Sequence, residues 1–474
     1  MDRRKFLGSL AAAAAYPYGK ELWGSKESAR QPNIVYIMAD DLGYADVACY
    51  GRPDIKTPHI DSLAKDGTQL LQAYANSAVC SATRTALITG RYQYRLRVGL
   101  EEPIAGSTEV GLPPEHPTLP SLLKKAGYGT TLIGKWHLGV LPKFGPLKSG
   151  YDHFYGIRHG AADYYTHSSD LWDDDIQVDQ HGYLTELLGS HAVKVIGSSA
   201  KQQRPFFLSL HFTAPHWPWE VPGDDSESQR LAQEKRDLMD FDGGSQKTYR
   251  AMVECMDEQI GRVLEALKAK GLTENTIVIF TSDNGGERFA DTWPFTGRKT
   301  ELLEGGLRIP ALIRWPGRVA AGKTSNQVAI SMDWLPTLLA AAGASADPAY
   351  PPDGINLLPQ LLDRAEPLSR KLFWRYKANA QRAARDGDFK FLKIRENTFL
   401  FNVVEDPLER ANLKEREKDR YERLRQDWFE WNSKMLPEVA ESYTHAFNGK
   451  ELADHYGAKP SDSKPDNPAG PDDD

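Results

Sequence analysis

The run Asn33-Ile34-Val35-Tyr36-Ile37-Met38, followed within two residues by Asp40-Asp41, decides the fold. A continuous apolar stretch of this length, with no polar alternation, reads as a strand covered on both faces. The same pattern recurs downstream. Thr130 to Ile133 leads to Lys135-Trp136-His137, Phe206 to Leu210 leads to His211 and His216, and Thr276 to Phe280 leads to Asp283-Asn284. Amphipathic segments separate these strands. Thr57-Pro58 offers an N-cap and first-turn pair for a helix that stops at Gly67, and a long helix runs from about Gln246 to Lys270, closed by Gly271. Apolar strands alternating with helices specify the α/β class: a large, mixed, mostly parallel sheet sandwiched by helices.

Ligands in such sheets bind beyond the carboxyl ends of the strands. Here four strands end in dense polar clusters, and that coincidence is the first functional signal. After about Asp353 the character changes. Short strands at Leu372 to Tyr376, Gln381 to Arg385, Phe389 to Ile394 and Thr398 to Val404, then a charged helix near Glu415 to Met435, predict a smaller C-terminal antiparallel α+β subdomain. The expected divisions are residues 1–30, 31–352, 353–455 and a disordered tail at 456–474.

Composition narrows the function classes. Among 474 residues, 58 Lys+Arg against 65 Asp+Glu give a net charge of -7, so there is no general electrostatic basis for a nucleic-acid partner. Hydrophobic, aromatic and charged contents of 40%, 10% and 26% describe a soluble globular chain and exclude a disordered, collagen-like or polytopic membrane protein. Three cysteines exclude a disulfide framework. Cys49 and Cys255 read as buried small hydrophobes.

The N-terminus places Arg3-Arg4-Lys5-Phe6-Leu7 before the alanines Ala11 to Ala15. Charge, then a short apolar stretch, then small residues is the layout of a secretory signal, and the paired arginines resemble a bacterial twin-arginine signal. The expectation is export to the periplasm or beyond. No other segment approaches the roughly 20 apolar residues that span a bilayer, so no stable membrane insertion is expected.

Asp40-Asp41 and Asp283-Asn284 put carboxylate and amide oxygens at two strand ends. Oxygen-only ligands select Ca²⁺ or Mg²⁺ over Zn²⁺, and ligand type alone does not separate those two ions. Cys80 opens Cys80-Ser81-Ala82-Thr83-Arg84-Thr85-Ala86-Leu87-Ile88-Thr89-Gly90, in which Ser81 to Thr89 reads as a helix closed by Gly90, so the Cys80 thiol sits at a helix N-terminus where partial positive charge favours an anion. Lys135 and His137 share a strand-end parity that would turn both to one side.

Cys80-Ser81-Ala82-Thr83-Arg84 resembles the C-x-[PA]-x-R signature of the formylglycine-dependent sulfatases, of the arylsulfatase and N-acetylgalactosamine-6-sulfatase kind, in the alkaline phosphatase superfamily. The resemblance extends over about Pro32 to Leu413. Asp40-Asp41 with Gly43-Tyr44 is similar to the family's opening metal motif, and Gly134-Lys135-Trp136-His137-Leu138-Gly139 to its lysine-histidine motif. Ala214-Pro215-His216-Trp217-Pro218 is similar to its histidine motif and Ser282-Asp283-Asn284-Gly285-Gly286 to its second metal pair. Gly297-Arg298-Lys299 with Glu304-Gly305-Gly306-Leu307-Arg308-Ile309-Pro310 is similar to its last lysine motif. Ala82 stands where proline is commoner.

The resemblance implies an alkaline-phosphatase-like fold and hydrolysis of a sulfate ester, on a sulfated carbohydrate or a small ester. It implies a maturation enzyme that oxidises Cys80 to Cα-formylglycine (3-oxoalanine), whose hydrate attacks sulfur. The metal would be Ca²⁺, or Mg²⁺, held by Asp40, Asp41, Asp283, Asn284 and the modified Cys80. Arg84 would hold the diol, Lys135 and Lys299 would neutralise sulfate, and His216 would protonate the leaving alcohol. His137 would take the proton whose loss expels sulfate. Two other readings are a phosphodiesterase or phosphonate hydrolase of the same superfamily, and a non-catalytic glycan binder in which Cys80 stays a thiol. His153, His159, His167 and His211 read as structural or rim residues. Trp217, Trp219 and Trp293 flank the motifs and could stack on a sugar.

Overall fold

Asn33–Ala39 lies near the middle of a ten-stranded sheet in a computed structural model that describes residues 30–235, 238 and 243–457. The expected signal and the tail beyond Gly457 lie outside the described residues. Parallel neighbours flank this strand on both sides, Phe206–His211 on one and Thr276–Ser282 on the other. Beyond Phe206–His211 come Gly129–Gly134 and His153–Ile157, both parallel, and then the short antiparallel pieces Leu171–Asp173 and Ile176–Gln177. At the opposite side Ala311–Arg314 and Thr68–Leu70 add antiparallel, and Lys323–Ser325 closes that edge.

Side-chain alternation explains why the central strand had to be apolar throughout. Val35 and Ile37 face one layer, packing with Ile60 and Leu63 of the helix Pro58–Lys65, Leu188 of Leu184–Ser199 and Met252 of Gln246–Ala269. Ile34, Tyr36 and Met38 face the other layer, with Leu87, Leu123 and Leu338 from the helices Cys80–Thr89, Leu119–Lys125 and Trp334–Ala341.

Two local expectations change. The Thr57 side chain does not cap its helix: its hydroxyl accepts from the Ala48 amide and donates to Asp61. The first-turn amides of His59 and Ile60 donate to the Asp257 carboxylate of the long helix, so the cap arrives from a segment remote in sequence. Cys49 is only half-buried, while Cys255 is buried as expected. Burial raises both thiols, that of Cys255 to about 12, which keeps them unreactive.

The C-terminal sheet runs Lys371–Tyr376, Gln381–Asp386, Phe389–Ile394 and Asn397–Asn402, every pair antiparallel, with the helix Lys418–Asn432 packed on it. It shares a core with the back of the Cys80–Thr89 helix, where Leu372, Trp374 and Tyr376 join Ala78, Val79, Ala82 and Ala86. Trp374 Nε1 donates to the Ala75 carbonyl at 2.9 Å.

A buried charge cluster bolts the two sheets together. Lys390 Nζ sits 3.0 Å from both Glu304 and Glu409, and Glu304 also takes Arg308 at 2.7 Å and the Tyr74 hydroxyl at 2.6 Å. Although burial opposes ionisation, Lys390 and the two arginines near it hold Glu304 down to about 2, whereas burial pushes Glu409 up to about 7. Lys390→Met should cost about 3–5 kcal/mol in denaturant unfolding, because it takes the cation from buried Glu409 and leaves Glu304 with Arg308 and Tyr74. Adding Glu409→Gln should recover part of that loss.

Candidate active site

The four strands with polar ends are consecutive in the sheet: Thr276–Ser282, Asn33–Ala39, Phe206–His211 and Gly129–Gly134. Their carboxyl ends therefore open side by side, and the clusters converge. Each chain leaves its strand sharply. Asp41 and His137 take left-handed backbone conformations, with φ of 61° and 56°, and so does Thr300 beside Lys299, with φ of 73°. Strain of this kind in non-glycine residues is held only where surrounding structure enforces it. Lys135 and His137 both reach the site, but not by strand parity, since the strand ends at Gly134 and the left-handed turn redirects the residues beyond it.

Asp40, Asp41, Asp283 and Asn284 are fully or almost fully buried, as are Cys80, Arg84, Lys135, His137, His216 and Lys299. Arg84 Nη2 and Nε bind Asp283 Oδ2 at 2.8 and 3.1 Å, with Nη2 3.5 Å from Asp40. Its Nη1 donates to the Lys135 carbonyl at 3.1 Å. Lys135 Nζ is 2.7 Å from Asp40 Oδ2, close enough for an ion pair though off hydrogen-bond geometry. Lys299 Nζ lies 2.9 Å from Asp41 Oδ2 and 3.3 Å from His216 Nε2.

The two histidines are oriented by backbone carbonyls. His137 Nε2 is 2.9 Å from the Ile104 carbonyl and His216 Nδ1 is 2.7 Å from that of Trp217, so those nitrogens carry the protons. That leaves His137 Nδ1, 3.4 Å from Cys80 Sγ, as an acceptor facing residue 80. It also leaves His216 Nε2 facing Lys299 and Asp41. The His137 ring lies flush on Gly160, where an added methyl would come within 2.8 Å of it.

The donor set fits a hard divalent cation. Asp40, Cys80 and Asp283 bring one ligand atom each within 4.8 Å of one another, and so do Asp40, Asp41 and His216. Both Asp40 oxygens and Asn284 Oδ1 are buried without a hydrogen-bond partner among the described residues. Asn284 Nδ2 is meanwhile spent on Asp41 Oδ1, at 2.7 Å. Burial and the Asp283 charge push Asp40 up to about 7. Asp283 is held below the usual carboxylate range because Arg84 and Lys135 outweigh its burial. Asp40 Oδ2 has its ion pairs, but Asp40 Oδ1 and Asn284 Oδ1 are buried oxygens that a Ca²⁺ or Mg²⁺ ion would satisfy.

Other candidates separate. Burial drives His211 down to about 3, so it is neutral, with Nδ1 3.4 Å from the Lys135 carbonyl. His153 pairs with Asp174, His159 with Asp170, and His167 contacts the Gly182 carbonyl. Trp217 and Trp219 are buried; Trp293 alone of the three is 65% exposed. Sequence reasoning missed Asp46. Its carboxylate accepts from the Gly43 amide at 2.7 Å and the Asp291 amide at 2.9 Å, tying the turn after Asp41 to the segment after Asn284. An aspartate three residues past a turn glycine was the available signal.

A family profile, Sulfatase, matches residues 32–344. Mouse (Mus musculus) N-acetylgalactosamine-6-sulfatase is 31% identical over 412 residues, covering 81% of this chain and 73% of its own length. Mouse arylsulfatase J is 34% identical over 343 residues, covering 69% of this chain, which spans only 55% of that longer relative. Among solved structures, Ps i-CgsB in complex with k-i-k-neocarrahexaose superposes with a TM-score of 0.78 at 30% identity, over 86% of this chain and 94% of that one. The phosphonate monoester hydrolase of Agrobacterium radiobacter, at 21% identity and a TM-score of 0.59, shares the fold. With its alkaline-phosphatase-like sheet, its converging strand ends and these matches, the chain belongs to the sulfatase family and is a sulfuric ester hydrolase.

Proposed function

We infer that this enzyme cleaves sulfate esters on carbohydrate, with residue 80 matured to formylglycine and one divalent cation, Ca²⁺ or Mg²⁺, held by Asp40, Asp41, Asp283, Asn284 and residue 80. The observation that carries the reading is the position of the residue 80 side chain, between the His137 Nδ1 lone pair and the buried Asp40 and Asp283 carboxylates. Cys80 Sγ stands in for an oxygen of the hydrated aldehyde. The glycan assignment rests on relatives, an N-acetylgalactosamine-6-sulfatase and a structure solved with a neocarrahexaose.

When bound, the cation supplies charge neutralisation for the nucleophile and the sulfate oxygens. The remaining chemistry belongs to the chain's own side chains. Arg84 holds Asp283 and the Lys135 carbonyl in register. Lys135 and Lys299 present ammonium groups to sulfate in a water-poor site, where fixed charges act strongly. His216, once protonated at Nε2, donates to the leaving oxygen. His137 withdraws a proton from the residue 80 hydroxyl and so releases sulfate. Export by a twin-arginine signal and modification by a maturation enzyme belong to the same reading. Among the described residues no helix is long and apolar enough to cross a membrane.

Intact mass of the residue 80 peptide from a host with a maturation enzyme should show an aldehyde, and protein from a host without one should show a thiol and almost no sulfate release. Full activity with the thiol would overturn the mechanism, and an aryl phosphodiester turned over faster than the aryl sulfate would overturn the substrate class. Exhaustive chelation should abolish turnover and lower the thermal midpoint, with Ca²⁺ restoring both, whereas Asp40→Asn should lose the Ca²⁺-dependent rise. His137→Ala should release one burst of alcohol and then stall as a sulfated enzyme. Gly160→Ala should displace the His137 ring and cut kcat by about 10-fold or more with the fold intact.

A further inference from the structure

The two loops that border His216 are joined outside the sulfatase motifs by hydrogen bonds in which the buried Glu220 takes part. Glu220 Oε2 accepts the Tyr164 amide at 2.6 Å, and the Tyr183 hydroxyl donates to the Glu220 carbonyl at 3.0 Å. Asp163, just before Tyr164 in the chain, accepts the Tyr165 and Thr166 amides at 2.8 and 2.7 Å and the Ser228 hydroxyl at 2.9 Å. Between them Tyr164, fully buried and stacked on Tyr183 with centroids 5.1 Å apart, donates its hydroxyl to the His216 carbonyl at 2.9 Å. The His216 ring is fixed by the Trp217 carbonyl, and its backbone is fixed by Tyr164.

We propose that Tyr164, held at its amide by the Glu220 carboxyl, is the positioning residue of the leaving-group acid, holding His216 Nε2 at the place where the departing oxygen takes its proton. This rests on the reading of His216 as that acid. Tyr164 packs in the core with Tyr183, but its hydroxyl does more than packing requires: a fully buried tyrosine spends its one donor on the carbonyl of a site residue, and the buried Glu220 carboxyl holds that tyrosine's amide.

The ionisation states agree. Glu220 is pushed up to about 10, first by burial and then by the facing Asp163 charge, so it is neutral at working pH. Asp163 stays ionised, since its amide donors and Glu220 outweigh burial. The groups facing Glu220 are Asp163, Glu227 and the hydroxyls of Tyr164, Tyr165 and Tyr183. A carboxyl raised in the folded state contributes stability that is complete below its ordinary value near 4.5 and is lost as pH climbs through about 10.

The test uses matured, Ca²⁺-loaded enzyme and two esters that differ in leaving group, phenyl sulfate and 4-nitrophenyl sulfate. An acid matters most for the poorer leaving group. Tyr164→Phe should lower kcat on phenyl sulfate about 10-fold more than on 4-nitrophenyl sulfate with KM unchanged, and Tyr183→Phe should act in the same direction if Tyr164→Phe does not fold. Equal losses on the two esters, or none, overturn the proposal. His216→Ala is the control. If it discriminates between the esters and the tyrosine variants do not, the positioning role fails; if it does not discriminate, the acid role itself fails. Glu220→Gln should flatten the fall in thermal midpoint between pH 7 and 9.5, and an unchanged slope overturns the role of the Glu220 carboxyl.

Discussion

The buried carboxylates of Asp41 and Asp283 both lie within a few ångströms of the buried Asp40 carboxylate, and the rest of the site arises from the need to balance the three. Burial without compensation would protonate them and empty the site of charge. Arg84 arrives from the helix behind, Lys135 from a neighbouring strand end and Lys299 from the loop that returns past Gly286. Each cation is buried in turn, so each is expensive unless its partner is present. Three buried cations thus stand against three buried carboxylates, and on the proposed reading the ammonium groups that neighbour Asp40 and Asp41 are those that would meet an incoming sulfate.

Much of this was legible in the chain. Four apolar runs each ending in polar residues imply a common edge, and the sheet order puts those four strands side by side. The helix from Cys80 to Thr89 and its Gly90 stop, with φ of 68°, are set by local chemistry. Local chemistry also misled. Thr57 looks like a cap, but its helix is capped by Asp257, a partner set by tertiary packing. Parity suggested that Lys135 and His137 point together, but the strand stops at Gly134 and the turn beyond it obeys different geometry.

The support beneath the site could not be read in this way. Asp46, Tyr164 and Glu220 look like ordinary polar and aromatic residues in sequence, and they acquire meaning from amides and carbonyls brought near by folding. Glu304 and Arg308 sat within a recognised motif, yet their role is mechanical. With Lys390 and Glu409 they fix the segment after Lys299 to the C-terminal sheet.

The C-terminal sheet has a consequence in time as well as in space. Cys80 is completely enclosed, and the helix that carries it is backed by Leu372, Trp374 and Tyr376. Roughly 290 residues separate Cys80 from Trp374, so at about 5–20 residues per second a ribosome needs about 15–60 s to deliver that backing. Until then the segment from Val79 onward lacks its permanent packing partner. On the proposed reading, an enzyme that must reach residue 80 before its helix is packed would work against a clock set by translation, and slower synthesis would lengthen that interval.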